Sequence, residues 1–431
     1  MGGPRPLFSR GFLSLLGTQF LGAANDNVLK QVLVFMVATG IWSGSLAEGG
    51  LGDGGQSLPA LCLTIPFILF SGLAGQLADR FSKRSVMVAV KIAEVPIALL
   101  ALVGLLAQNL WITLAAMLLL AIQSALFGPS KYGVVPEIVG EERLSQANGL
   151  LNMLTNIAVI IGSLLAGPLS TAYDPDPATG AEPILWAPGA ALVAVALAGV
   201  LSVLVMPPLE AANPALKLKF DLVGTYLQSF RDMSSTLLSV AIAWAGFYMV
   251  GMMSLLILPE YEKILAIGYT KTSLLIGLLG VSIAVSSVAA GFLSGRGIRP
   301  QLIPFGASGM AACFVLLGTL QPTVANVAAL VALAGLSAGF YIIPLQALLQ
   351  KLSPGGERGR FLGTANAMSF TASSLGAGLY WLLSGPLQIA PNRVFLACAG
   401  LAIAGTVVGT LKLRQLLAAR AAAALTAESA D

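Results

Sequence analysis

The sequence predicts an all-α integral membrane protein with twelve transmembrane helices in two pseudo-symmetric bundles of six. Three observations predict it: an extreme apolar composition, two groups of six apolar stretches, and a one-sided placement of basic residues. Of the 431 residues, 57% are hydrophobic and only 10% are charged. That is too little charge to solvate a water-soluble domain of this size.

Stretches of roughly 20 residues, the length that crosses a bilayer as helix, run near 12–41, 58–78, 85–107, 110–128, 146–172 and 187–207. After a polar break they resume near 235–258, 272–294, 301–320, 324–345, 361–383 and 393–411. Arg5 and Arg10 precede a first stretch too long and too polar for a cleaved signal, so it reads as a retained helix. With the N-terminus inside, only Lys263, Lys271 and Arg393 of the basic residues fall outside, and Lys30 lies within the first span. This positive-inside pattern supports an even number of spans with both termini cytoplasmic. Trp42, Trp111, Trp186 and Trp381 fall at outer ends, as an interfacial belt would. The expected organisation is a first bundle over 1–207, a cytoplasmic linker over 208–234, a second bundle over 235–412 and a cytoplasmic tail over 413–431. Within the linker, Phe220, Val223, Leu227 and Phe230 recur at helical spacing beside Lys217, Lys219 and Arg231. That reads as an amphipathic helix on the inner leaflet, or alternatively as a solvated connector.

The same composition excludes several classes. The chain has no histidine, which removes His-dependent triads, imidazole metal ligands and the usual general base. A membrane-embedded acyltransferase is disfavoured on that ground. Cys62, Cys313 and Cys398 each sit in an apolar span and read as free thiols rather than a disulfide framework or metal site. The net charge of +4 is explained by the cytoplasmic loops and does not point to nucleic acid. No cofactor or metal is expected.

The first span carries the most costly residues. Asn25-Asp26-Asn27 and Lys30 lie inside it, with Gln19 on the same stripe. A charge at mid-membrane costs about 2.5–3.5 kcal/mol on insertion scales, so such a residue is a candidate functional site. Asp26 and Lys30 are spaced to pair on one face. The stripe lines a cavity, or the pair merely knits helices together.

Similar segments recur along the chain. Gly75-Gln76-Leu77-Ala78-Asp79-Arg80 is echoed by Gly291-Phe292-Leu293-Ser294-Gly295-Arg296, Glu142-Arg143 by Glu357-Arg358, and Ala147-Asn148 by Ala365-Asn366. Near-constant offsets across three loops imply duplicated six-helix halves, as in transporters that rock around a central site.

The loop from Gly75 to Arg84, with Asp79, Arg80, Lys83 and Arg84, resembles the signature loop of the major facilitator superfamily, departing only at Ser82. Asp79 is placed to cap the next helix and pair with Lys91 or Arg84, as a latch that releases between conformations. Gly75 and Arg296 belong to the same latch. Gln19-Phe20-Leu21, Asn25-Asp26-Asn27, Gly128-Pro129-Ser130-Lys131-Tyr132-Gly133, the segment Leu144–Leu150 and Ile343–Gln350 resemble the bacterial lysophospholipid transporter branch of that superfamily. The resemblance implies a major facilitator fold in the bacterial inner membrane. It also implies inward movement of lysophospholipids such as lysophosphatidylethanolamine by alternating access, and a functional link to a lysophospholipid acyltransferase. No catalytic domain is expected within these 431 residues. A monomer surrounded by membrane lipids is expected.

The remaining polar groups keep two readings each. Gly128-Pro129 should stop or kink the fourth helix, leaving Lys131 near the inner mouth as a phosphate contact or an ordinary interfacial cation. Glu94 is three residues from Lys91, favouring an intrahelical pair. Asn148, Asn152 and Asn156 form an amide stripe that reads as interhelical glue. Trp244 and Tyr248 line a cavity or pack together. Asp26, Lys30 and Glu94, the interior charges, all belong to the first half. A charged wall facing an apolar one suits an amphiphile. On that reading Asp26, with Asn27 and Gln19, meets the headgroup amine, and Lys30 and Lys131 meet the phosphate. The rival is a proton-coupled drug or metabolite exporter with Asp26 as the titrating group.

Overall fold

The computed structural model describes residues 6–38, 57–175 and 180–404. Arg5, Trp42, Lys412, Arg414, Arg420, the tail over 413–431 and the end of the last expected span lie outside the described residues.

The described chain is helical, and an isolated bridge joins Ser82 to Ala211. The helices are α1 (Arg10–Ala38), α2 (Ser57–Arg80), α3 (Lys83–Leu106), α4 (Leu110–Val139), α5 (Leu144–Tyr173) and α6 (Ala187–Leu204). They continue with α7 (Leu222–Asp232), α8 (Ser235–Ile257), the short α9 (Tyr261–Leu265), α10 (Gly268–Leu293), α11 (Leu302–Thr319), α12 (Val324–Leu352) and α13 (Arg358–Ser384). A further apolar helix, α14, is described over Pro391–Ala404. Among the described residues, the helices α3 to α6, α8 and α10 to α12 are long and apolar enough to cross a membrane. Trp111, Trp186 and Trp381 are exposed, as membrane-interface tryptophans would be.

Two expectations need correction. Pro129 does not stop α4, which runs through Pro129 and Pro136 to Val139 and ends at Gly140, where φ is +77°. A membrane helix tolerates proline when neighbours re-satisfy the freed carbonyl. Lys131 is therefore a helical residue of α4. The second correction concerns the repeat. The pairs α4/α12 (Leu110, Val324) and α5/α13 (Leu144, Arg358) begin 214 residues apart. The echoes Glu142-Arg143 and Ala147-Asn148 are thus one and four residues out of register with their helices. Four residues is about one turn, so the second slip preserves the helix face.

The chain forms two compact units. Unit 1 is drawn from Met1–Glu141, Leu150–Ser229 and Ser353–Ala367, unit 2 from Glu142–Gly149, Phe230–Leu352 and Met368–Asp431. In unit 1, α3 packs on α4 and α6, α1 on α6 and α4, and α2 on α4. Leu29, Leu33, Met36, Leu105, Leu114 and Leu120 sit in its apolar core. In unit 2, α12 packs on α10, α11 and α8. Small residues set the α10–α12 distance: a Cβ at Gly335 would lie 2.7 Å from Ser282 Cβ, and one at Gly339 would meet Ser286 and Ser287.

Candidate functional site

The interior of unit 1 is organised on one carboxylate. Glu94, 1% exposed on α3, receives Lys91 Nζ at 2.5 Å and Gln123 Nε2 of α4 at 3.0 Å on one oxygen. Its other oxygen accepts Asn25 Nδ2 of α1 at 2.7 Å. The intrahelical Lys91–Glu94 pair is thus present, and it ties three helices together. The Lys91 ammonium lies against Gly22 of α1, where a Cβ would come within 2.5 Å of it, and 5.4 Å from the Phe127 ring centre, while its stem passes Gly199 of α6 at ordinary contact distance. A buried ion pair in low dielectric persists only when its remaining lone pairs and protons are met, which the two amides do for Glu94.

Asp26 adjoins this network without pairing into it. Ser124 donates to Asp26 Oδ2 at 2.7 Å, and the same hydroxyl lies 3.1 Å from Gln123 Oε1. Asp26 Oδ1 is buried and has no donor among the described residues, and neither has Asn25 Oδ1. The expected Asp26–Lys30 pair is not the contact made. Lys30 donates to Asn27 Oδ1 at 3.1 Å, and Asn27 donates to the Ala23 carbonyl of its own helix at 2.8 Å. The reason is local: Ser124 offers Asp26 a short hydrogen bond from α4, and Asn27 offers Lys30 an acceptor one turn back. Lys131 is half-buried, its ammonium 4.4 Å from the Tyr132 ring centre. Among the described residues, Glu94, Lys91, Lys131 and Lys30 are charged groups that interact electrostatically with Asp26. With Lys91 and Glu94 neutralising each other, Asp26 remains with two ammoniums. Gln19 donates to Thr155 of α5 at 3.0 Å and serves as a clasp between α1 and α5.

The signature loop is built differently from the sequence expectation. Asp79 does not pair with Lys91 or Arg84. Its oxygens accept the backbone amides of Gly359 at 2.6 Å and Arg360 at 2.8 Å, at the start of α13. A carboxylate there satisfies two orphan donors and complements the helix dipole. The approach requires glycine: a Cβ on Gly75 would strike the Gly359 carbonyl, and one on Gly359 would lie 2.8 Å from Asp79 Oδ1. Lys83, fully buried, pairs with Glu137 at 2.6 Å, and Arg84 donates to the Met206 carbonyl at 2.6 Å. Arg80 lies over Phe81, 5.4 Å from its ring centre. In unit 2, Arg296 is exposed after Gly295, and the nearby Gly297 carbonyl accepts Ser145 Oγ at 2.9 Å.

Among the described residues, unit 2 holds no such charged network in the cavity its helices enclose. An apolar cavity of about 330 Å³ is lined by Ala243, Phe247, Ala307, Met310, Tyr341 and Leu345, among others. Phe247 and Met310 also border a smaller void of about 50 Å³. Phe247 stacks on Tyr341 at 6.0 Å, and Tyr341 donates to the Ala243 carbonyl at 3.2 Å. Trp244 and Tyr248 pack edge to face, 5.2 Å between ring centres, and line neither volume. Asn148 and Gln350 clasp α5 to α12 through bonds of 2.6 and 3.1 Å, as interhelical glue would, whereas Asn156 turns back onto Asn152 of its own helix.

Residues 50–377 match the sequence model of the Major Facilitator Superfamily. The chain belongs to the Major Facilitator Superfamily. It is 28% identical over 395 residues to a protein named lysophospholipid transporter LplT from Serratia proteamaculans, covering 88% of this chain and 89% of that protein. A protein of the same name from Cronobacter sakazakii is 28% identical over 431 residues, covering 93% and 96%. The resemblance read from the sequence motifs is thereby borne out. Among solved structures, the human organic anion transporter MFSD10 (TETRAN) matches with a TM-score of 0.76 at 14% identity, covering 93% of this chain and 99% of that one. FucP in the outward conformation matches with a TM-score of 0.72 at 14% identity, covering 93% and 98%. At those identities the likeness is one of fold.

Within this Major Facilitator chain, sequence reading missed Asn25's bond to Glu94, and Gln123 and Ser124 altogether. Gln123-Ser124 is a polar pair inside the apolar fourth span, a signal of the same kind as Asn25-Asp26-Asn27. Phe247 carried no sequence signal to separate it from its aromatic neighbour Tyr248.

Proposed function

We propose that this Major Facilitator transporter moves lysophospholipids, such as lysophosphatidylethanolamine, across the bacterial inner membrane to the cytoplasmic leaflet. The observation that carries the reading is Asp26: a half-buried carboxylate whose Oδ1 is buried and has no donor among the described residues, near two lysines with no carboxylate partner among the described residues. A zwitterionic headgroup has the complementary charges, an ammonium for Asp26 Oδ1 and a phosphate for Lys30 and Lys131. An acyl chain requires hydrocarbon-like surroundings, which the apolar second half of the chain or the surrounding lipid would supply. The names of the relatives agree with this chemistry.

Transport requires no covalent step. The halves over 1–207 and 235–412 rock by alternating access, with Asp79 on the α13 amides as a contact that breaks and reforms. The positive-inside pattern supports cytoplasmic termini, on the side where an acyltransferase would consume the delivered lyso-lipid. The protein acts as a monomer.

Reconstituted in vesicles, the protein should flip labelled lysophosphatidylethanolamine, and Asp26→Ala should reduce the rate at least ~100-fold, as loss of a buried charge-assisted contact of about 3 kcal/mol does. No flipping by the wild type, together with proton-driven export of a hydrophilic drug, would sink this reading in favour of a proton-coupled exporter.

A further inference from the structure

Helix α7 and the strand of chain before it are strapped onto α2. The Asn213 amide donates to the Asp79 carbonyl at 2.8 Å. Gln76 binds Lys219 twice, accepting its amide at 2.8 Å and donating to its carbonyl at 3.0 Å, and donates to Thr225 Oγ1 at 3.1 Å. The last attachment is unusual. The Tyr226 hydroxyl donates to the Ile68 carbonyl at 2.7 Å and accepts the Gly72 amide at 2.9 Å. Ile68 and Gly72 are the i and i+4 residues of one helical turn, so the hydroxyl bonds both groups of one rung of the α2 backbone ladder. A side chain inserting into such a ladder is a recognised cause of helix bending. Only glycine admits the ring: a Cβ at Gly72 would lie 2.9 Å from Tyr226 Cε1. Burial pushes the Tyr226 phenol up to about 12, so it remains protonated and able to donate.

The polarity of α7 is inverted relative to a solvated helix. Thr225 and Ser229 are buried against the protein, while Val223 and Leu227 are 68% and 54% exposed, as is Phe220 just before the helix at 77%. Exposed Ile65 and Leu69 of α2 continue this apolar surface. Gly72 lies eight residues before Arg80 at the end of α2, about 12 Å along the axis, the depth of one headgroup layer and the upper acyl region. Lys217 and Lys219, both exposed, flank the apolar face, while Asp221 is turned onto its own helix, accepting the Gly224 amide at 2.8 Å.

We propose that α7 is a docking surface for anionic phospholipid of the inner leaflet, and that its seating on lipid controls the bend of α2 through the Tyr226 hydroxyl. Apolar side chains pointing outward require hydrocarbon, and two lysines at their edge select anionic headgroups. When α7 is seated, Tyr226 stays on the Ile68–Gly72 turn and α2 keeps its shared rung. When α7 lifts, that turn tightens, and Gly75 and Asp79 one and two turns later shift with it. Lipid composition thereby regulates the segment carrying the signature loop.

Hydrogen–deuterium exchange of the full chain in nanodiscs tests this without substrate, so it stands or falls independently of lysophospholipid transport. Replacing neutral phosphatidylcholine by a mixture containing phosphatidylglycerol should slow exchange in the peptides covering α7 and residues 66–77, by about five-fold per lysine engaged. Lys217→Gln with Lys219→Gln should abolish the response in both peptides. Tyr226→Phe should keep the response in α7 and lose it over 66–77. Equal exchange in the two lipids, or an α2 response surviving Tyr226→Phe, overturns the proposal.

Discussion

The two units enclose opposite kinds of interior. In unit 1 the space between α1, α3 and α4 is filled by a hydrogen-bonded network of Asn25, Lys91, Glu94 and Gln123, with Ser124 and Asp26 at its margin. In unit 2 the space between α8, α11, α12 and α14 holds no charge and is left as an apolar cavity of about 330 Å³. The difference shows two ways a membrane helix bundle can be held. A polar network fixes side chains individually, because each lost partner strands a buried charge or dipole. An apolar interior is held by dispersion and small-residue crossings, and it tolerates unfilled volume.

The largest effect should come from breaking the network at its centre. Glu94→Ala strands the Lys91 ammonium and the amide donors of Asn25 and Gln123, and should cost about 3–5 kcal/mol, read as a lower melting temperature in detergent. Lys91→Met combined with Glu94→Gln removes both charges while keeping an acceptor, and should restore stability to within ~1 kcal/mol of wild type. If the double variant is as unstable as Glu94→Ala, the network is not held by charge pairing.

A smaller effect is expected in unit 2. Phe247→Ala joins the two apolar volumes and removes the stack on Tyr341, and should cost about 2–3 kcal/mol, below the usual range for a fully enclosed phenylalanine. A cost equal to that of Glu94→Ala would mean the cavity is as tightly determined as the network.

The finest comparison uses one methyl group. A Cβ at Gly22 would lie 2.5 Å from Lys91 Nζ, whereas one at Gly246, on the cavity wall, meets nothing within 4 Å. Gly22→Ala should therefore cost about 1–2 kcal/mol. Gly246→Ala should be neutral or stabilise by about 0.5–1 kcal/mol by restricting the unfolded chain. Equal shifts in melting temperature for the two would erase the distinction between the interiors.

Much of this was legible in the sequence. Length, apolar runs and basic-residue placement specify membrane helices because the bilayer imposes the same hydrophobic thickness on every span. Asp26, Lys30 and Glu94 stood out because a charge in such a run is costly wherever it lies. The Lys91–Glu94 pair was readable because both ends sit on one helix three residues apart. The pairing of Ser124 with Asp26 was not, since the two lie 98 residues apart on different helices. The run of α4 through Pro129 was misread because proline's effect depends on whether neighbouring helices supply the lost contact.

The sequence by itself determined the class of the protein, the location of its helices and the concentration of interior charge in the first half. Tertiary structure decided which partner each polar group takes. Asp26 and Lys30, one turn apart, turn to Ser124 and Asn27 instead of each other. Asp79 reaches amides 280 and 281 residues along the chain. The physical reason is that a desolvated donor or acceptor binds the best-placed group within about 3 Å, and helix packing, not helix periodicity, sets what lies within that radius.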